Sequence, residues 1–296
     1  MVIGERVRVS LTNVLLAVDF SETSLLAFPF ATSIAHHYGG KVFLAHITQD
    51  SDRPQIGREA RHMLDTMLTA AEEGALASIA GASDTPHVAV SDYGSVYTTL
   101  LTVASKSNVD LIVIGTHGRQ GIRKLLHGSK AQEIVSLSSK PVLVVGPKVS
   151  TKPEFKRILY VTNFSPAAIH ALPVADSLRA TFHSSLILLH VNDCDGDETP
   201  ADAVPRTKKF LEDARAAGYE DLTDNVEVVV EFGARAERIL EVAGARHSDL
   251  IVIGVQTHKG VRARLAAHLP GSVAFEVISR AHCPVLTVSC STLEHN

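Results

Sequence analysis

Two tandem α/β units, each a doubly wound, mostly parallel sheet of five strands with helices on both faces, are the fold this sequence predicts. Three observations carry that prediction. The chain repeats itself, each copy alternates short apolar runs with longer helical stretches, and a polar, proline-bearing segment separates the copies. A length of 296 residues also suits two domains better than one.

The repeat comes first, because a missed repeat spoils every later reading. NVLLAVDFSETS at 13–24 returns as RILYVTNFSPAA at 157–168, and KVFLAHI at 41–47 returns as SLILLHV at 185–191. His46 and His190 therefore stand 144 positions apart, as do Asp19 and Asn163. NVDLIVIGTHG at 108–118 matches HSDLIVIGVQT at 247–257, and SSKPVLVV at 138–145 matches AHCPVLTV at 281–288. Between the copies, GPKVSTKPEF at 146–155 has two prolines and no apolar period, which reads as a linker. The predicted domains are 1–149 and 153–291.

Within the first copy, the runs at 14–18, 42–47, 111–114 and 142–145 are short, nearly continuous and rich in Val, Ile and Leu. Such runs suit strands buried on both faces. HVAVSDYG at 87–94 alternates more and makes a fifth strand ending at Gly94. Helical spacing fills 22–38, 58–80, 95–107 and 129–138. Strands alternating with helices pair in parallel through right-handed crossovers. Ligands of such sheets sit outside the carboxyl ends of the strands, where the strand order reverses.

Composition excludes several classes of function. Hydrophobic residues at 45% and charged residues at 20% are ordinary for a globular chain. A net charge of −4 gives no long-range pull toward nucleic acid or an anionic membrane, so neither is expected as a partner. The N-terminus interleaves charges among its apolar residues, unlike a signal peptide, and no run approaches the length of a transmembrane helix. Cys194, Cys283 and Cys290 form no CxxC pair, which fits a reduced, cytoplasmic setting. Fifteen histidines, His36 and His37 among them, include no HExxH spacing, so a histidine-held zinc is not expected. Cys283, beside Pro284, reads as a small buried hydrophobe, and no G-x-S-x-G nucleophile elbow is present.

The segment that carries chemistry follows the strand LIVIG. In GTHGRQGIRKLLHGSKAQEIV, Gly115, Gly118 and Gly128 precede Ser129 and a helical run, giving the spacing G-x2-G-x9-G-S. Glycines let backbone amides approach phosphate oxygens, and Ser129 adds a hydroxyl beside the unpaired amides of a helix N-terminus. The alternative is a turn whose glycines serve the backbone and whose Ser129 is an N-cap. Asp19, at a strand's carboxyl end, could accept from ribose hydroxyls or hold Mg²⁺; it could equally cap the first helix together with Ser21. Arg119, Arg123 and Lys124 could offset phosphate charge or be a solvated face. Neither a Walker A loop nor G-x-G-x-x-G after the first strand occurs.

The glycine motif, VDFSETS after strand one and the His-Ile pair closing strand two resemble the universal stress protein family, whose fold is related to that of the adenine nucleotide alpha hydrolases. The resemblance covers both halves. It implies an ATP site in the first half, with Ala17, Asp19, Ile47, Gly115, Gly118, Arg119, Gly128, Ser129 and Lys130 as contacts. It places Asp19 near the ribose and an ATP-bound Mg²⁺, the backbone around Ile47 against the adenine, and the glycine motif on the phosphates. It also implies pairing of the two domains within the chain across a pseudo-two-fold axis, through PVLVVG and PVLTVS, with a homodimer of whole chains as a further assembly.

The second half departs from the pattern. Asn163 replaces Asp19, Thr257 stands where Gly118 stood, and eleven positions rather than seven separate the last two glycines of the loop, Gly260 and Gly271. A Cβ at Thr257 obstructs backbone approach to a phosphate, so a weak or empty second site is expected. The alternative has Lys259 or Arg262 reaching the phosphates instead. The functional expectation is an ATP-binding regulatory protein of the stress response, with no visible catalytic base and at most slow hydrolysis. A scaffold with empty sites and an enzyme of the wider adenine-nucleotide superfamily are the other readings.

Overall fold

In the computed structural model, described at residues 3–48, 77, 84–116, 130–150, 152–193, 199–257 and 272–291, the two copies fold alike. The first comprises β1 (Asn13–Ala17), α1 (Glu22–His37), β2 (Lys41–Thr48), β3 (His87–Tyr93), α2 (Val96–Lys106), β4 (Leu111–Gly115), α3 (Lys130–Leu137) and β5 (Val142–Val145). The second comprises β6 (Arg157–Thr162), α4 (Pro166–Phe182), β7 (Ser185–Asn192), α5 (Pro200–Ala216), α6 (Glu220–Thr223), β8 (Val226–Phe232), α7 (Arg235–Ala245), β9 (Leu250–Thr257), α8 (Val273–Arg280) and β10 (Val285–Ser291). Each strand expected in the first copy is present; the helix expected at 58–80 lies outside the described residues, apart from Ala77.

The strands run in the order β3-β2-β1-β4-β5-β10-β9-β6-β7-β8. Pairing is parallel within each half, and β5 meets β10 antiparallel. The two five-stranded sheets are thus joined edge to edge into one of ten strands, and the join covers an edge that each half would otherwise leave open. In each half the order reverses between the first and fourth strands, β1 with β4 and β6 with β9.

Local chemistry fixes where those central strands begin. Asp110 Oδ2 accepts from the Asn13 amide at 2.9 Å and from Thr12 Oγ1 at 3.0 Å, and Asp249 Oδ2 accepts from the Arg157 amide at 3.0 Å. The repeated aspartate ahead of LIVIG therefore ties the start of the fourth strand to the start of the first. Ser21 caps α1 and Ser165 caps α4, each accepting from the amide three residues on.

The halves also exchange the segments that precede their first strands. Ser33 of α1 donates to the Pro153 carbonyl at 2.6 Å, and Ser177 of α4 donates to the Val9 carbonyl at 2.5 Å. Ser33 and Ser177 are repeat counterparts, as are Val9 and Pro153, so each arm lies on the other half's helix. Further along the N-terminal arm, the Arg6 amide donates to the Ala217 carbonyl at 2.8 Å, and its guanidinium reaches the buried Asp176 carboxylate at 2.9 Å. Arg179 meets the other oxygen of Asp176 at 3.1 Å, so that this buried charge is held from both sides.

The core on this face of the sheet runs without a break across both halves, from Leu16, Phe30 and Leu143 to Tyr160, Leu178 and Leu286. Phe155, fully buried in the linker, packs edge-on against Phe182 with centroids 5.0 Å apart and lies 6.0 Å from Phe30. A linker residue is thus a core residue of both halves. Phe155→Ala should destabilise the whole chain by ~3–5 kcal/mol, as aromatic truncation in a core does, with the loss read from the shift of the urea midpoint.

Candidate functional site

The reversal of strand order opens a crevice at the carboxyl ends of β1 and β4, and the chain turns sharply there. After β1, Phe20 takes a left-handed backbone with φ of 58°, and its counterpart Phe164 after β6 does the same at 59°. Bulky residues rarely adopt this conformation, so something must hold it. The ring of Phe20 packs on His46 at 4.7 Å and that of Phe164 on His190 at 4.5 Å. Nδ1 of His46 lies 2.6 Å from the Val18 carbonyl, and Nδ1 of His190 lies 2.9 Å from the Thr162 carbonyl. A carbonyl only accepts, so Nδ1 carries the proton in both rings. The paired histidines are anchors of the turn that presents Asp19 and Asn163.

Asp19 Oδ1 accepts from the amide of Ser21 at 3.0 Å and from its hydroxyl at 2.5 Å. The carboxylate thus serves the helix start, as the capping alternative anticipated, and no hydrogen bond to Oδ2 is present among the described residues. That second oxygen is of the kind that ligates Mg²⁺ or accepts from a ribose hydroxyl. Asn163 repeats the local bond, with Oδ1 accepting from the Ser165 amide at 3.1 Å, but brings no charge.

Ala17 and Ile47 are half-buried and pack against the same core cluster, on the side of the sheet carrying α2 and α3. β1 and β2 are in register at Ala17 and Ala45, which sets Ile47 two residues further along. Gly115 closes β4, and a Cβ there would sit 2.5 Å from the Thr23 carbonyl of α1. Its counterpart Gly254 is tighter still, with the Ala167 carbonyl of α4 at 2.2 Å. Close helix-to-strand approach therefore requires glycine at these two positions, independently of any ligand. Lys130 is the first residue of α3. Gly118, Arg119, Gly128 and Ser129, with Arg123 and Lys124, lie outside the described residues.

In the second half a cavity of ≈ 370 Å³ occupies the crevice. Among its lining residues, Val161, Asn163, Val191, Gly254, Ser272 and Val273 are the repeat counterparts of Ala17, Asp19, Ile47, Gly115, Ser129 and Lys130. The positions nominated in one half thus converge on a single hollow in the other. Sequence reasoning missed Arg235, which also lines the cavity and stands where the first half has Val96; aligning the start of α7 with that of α2 would have found it. It missed Val135 and Ser136 too, contributed by α3 of the first half.

Comparison with known proteins accords with this geometry. The model of the universal stress protein family matches residues 11–146 and again residues 154–289. The chain belongs to the universal stress protein family. Among its relatives, universal stress protein MJ0577 of Methanocaldococcus jannaschii is 24% identical over 156 residues, spanning 47% of this chain and 96% of that protein. Universal stress protein MJ0531 of the same organism is 27% identical over 139 residues, spanning 45% and 81% respectively. A universal stress protein of Archaeoglobus fulgidus superposes with a TM-score of 0.69 at 22% identity, covering 95% of this chain and 97% of its own, which shows a shared two-copy fold.

In this universal stress protein, Cys283 is buried beneath α8, and burial pushes its thiol up to about 12, so it is an inert core residue at neutral pH. Among the described residues, no group of three or more His, Cys, Asp or Glu converges as metal ligands, and no helix is long and apolar enough to cross a membrane. The packing role of the strand-four glycine can be measured directly. Gly115→Ala should force α1 outward and lower stability by ~1–3 kcal/mol, as overpacking does, with thermal denaturation as the readout.

Proposed function

We propose that this chain is a cytoplasmic, ATP-binding regulator of the stress response, holding the nucleotide in its first half. The adenine lies over Ala17 and Ile47, Asp19 takes the ribose hydroxyls and an ATP-bound Mg²⁺, and the segment from Gly118 to Lys130 cradles the phosphates. The observation that carries the reading is the meeting of a carboxylate after β1 with the end of β4, the strand that leads into the glycine motif, at the reversal of strand order. Bound Mg²⁺ would neutralise phosphate charge. Asp19 contributes an oxygen of a carboxylate held by Ser21, and the glycine motif would contribute backbone amide donors to the phosphates.

Occupancy, rather than turnover, is the signal in this reading. Asp19 is engaged with the start of α1, so filling the site bears on the helix that carries the arm from the second half near its other end. Hydrolysis, where it occurs, is slow. The second half binds phosphates weakly or not at all, a reading supported by Asn163 and Val273 in place of Asp19 and Lys130.

Calorimetric titration of nucleotide-stripped chain with ATP and Mg²⁺ tests this. One site per chain is expected, with Asp19→Ala and Gly118→Ala each weakening it by about 1–3 kcal/mol, roughly 5- to 150-fold. Absence of binding in the parent chain would instead favour the scaffold reading.

A further inference from the structure

We propose that the second half carries a binding site for an arginine side chain on an extended segment, that the chain's own N-terminal arm closes it through Arg6, and that the arm of a second copy takes the same place by exchange. The site lies where α4, α5 and α6 meet. Asp176, at its centre, stands about three helical turns along α4 from the Ser165 cap beside the crevice.

The side chains and carbonyls there select a guanidinium. Oδ2 of the buried Asp176 accepts from Arg6 Nε at 2.9 Å and has a terminal nitrogen of the same side chain at 2.9 Å. The other terminal nitrogen donates to the Gly218 carbonyl at 3.4 Å and lies 3.5 Å from the exposed Asp221 carboxylate. Gly218 follows α5 in a left-handed conformation, with φ of 95°, so the cation sits at the end of that helix where unpaired carbonyls and the dipole favour positive charge. The centre of the guanidinium is 5.9 Å from the centroid of the buried Tyr219 ring, within cation–π range, and the Tyr219 hydroxyl is hydrogen-bonded to the Val7 backbone. A planar fork engages carboxylate, carbonyl and ring together, which a compact ammonium on a flexible stem does not. The main chain on either side is read as well: the Arg6 amide donates to the Ala217 carbonyl at 2.8 Å, and the Val9 carbonyl accepts from Ser177 Oγ at 2.5 Å.

The repeat supplies an internal control. The linker docks on α1 at the symmetric place, Pro153 on Ser33, yet the counterparts of Arg6 and Asp176 are Ser150 and Thr32. The linker is fixed by a strand at each end, β5 and β6. The arm leads into β1 and is otherwise held by the second half, and it is there that the sequence places acid and base. The ion pair is thus a latch on the segment that can leave.

The arm's attachment to its own half begins at Leu11, which is fully buried, and at Asn13, whose amide is held by Asp110. Residues 3–10 form no helix or strand, and Val7 is 62% exposed. Swinging the arm outward therefore breaks the contacts of Arg6 and Val9 and leaves β1 in place. Reciprocal exchange between two chains remakes those same contacts, as a two-fold domain swap does. The tether gives the arm an effective concentration on the order of millimolar for the site in its own chain, so a second copy's arm enters most readily where the chain's own latch is broken.

Chemical rescue tests the site. Arg6→Ala should lower the thermal midpoint by several degrees, and methylguanidinium at a non-denaturing concentration should recover about half of that loss or more, while methylammonium recovers little. Exchange is tested with a labelled peptide of residues 3–12 and with purified full-length variants. The peptide should bind the Arg6→Ala chain at least about tenfold more tightly than the parent, whose own arm competes, and should lose that affinity when alanine replaces its arginine at position 6. Tagged Arg6→Ala chain, which keeps the pocket, should retain untagged Asp176→Asn chain, which keeps the arm, well above its retention of untagged Arg6→Ala chain. The peptide measurement needs no change at Asp176, whose replacement could unfold the chain.

Failure of methylguanidinium to rescue, or equal rescue by methylammonium, overturns the site. Peptide binding that is the same with and without its arginine overturns it too. Equal retention of the two untagged variants overturns the second copy as occupant. None of these readouts involves ATP, so their failure leaves the nucleotide reading untouched.

Discussion

Three residue pairs along one antiparallel seam decide the architecture of this protein. Val142, Leu143 and Val144 of β5 face Thr287, Leu286 and Val285 of β10. Leu143 and Leu286 are repeat counterparts and lie opposite each other, so the local two-fold axis of the chain passes between them. A symmetric dimer contact, the same patch used by both partners, is here made once and covalently tethered. Side chains at the seam support the backbone: Thr287 Oγ1 donates to the Val142 carbonyl at 3.2 Å, and Ser289 Oγ donates to the Ser138 carbonyl at 2.6 Å.

Everything near the functional crevices follows from that axis. It lays α1 against α4, so that each helix receives the arm of the other half on its serine, Ser33 or Ser177. It seats Phe155 of the linker between Phe30 and Phe182, which leaves the linker no freedom to act as a flexible tether. It also brings the last turns of α3 to the second cavity. Because α3 begins at Lys130, the residue that follows the glycine motif of the first half, one helix links that motif to the second cavity.

Much of this was legible in the sequence because the repeat doubled every signal. Short buried strands of a parallel sheet read as continuous Val, Ile and Leu runs, and LIVIG and PVLVV stand where such runs were expected. The pairing of the final strands followed from the resemblance to the family. What the sequence could not show was the antiparallel register of that join, because it depends on three side chains per strand that resemble any other apolar triplet. His46 and His190 were seen as equivalent, yet their work as anchors of a left-handed phenylalanine needs φ angles to recognise. The cavity in the second half was hidden for a different reason. Sequence matching scores the loss of Asp19 and Lys130 equivalents as decay, while the walls that keep the hollow open are valines with no motif of their own.

The central claim is that the seam and the shared core make the two halves one cooperative unit. Differential scanning calorimetry of the full chain tests it most directly. The account predicts a single transition whose calorimetric enthalpy matches its van't Hoff enthalpy for the whole chain. Two resolved transitions, each with the enthalpy of one half, would contradict it.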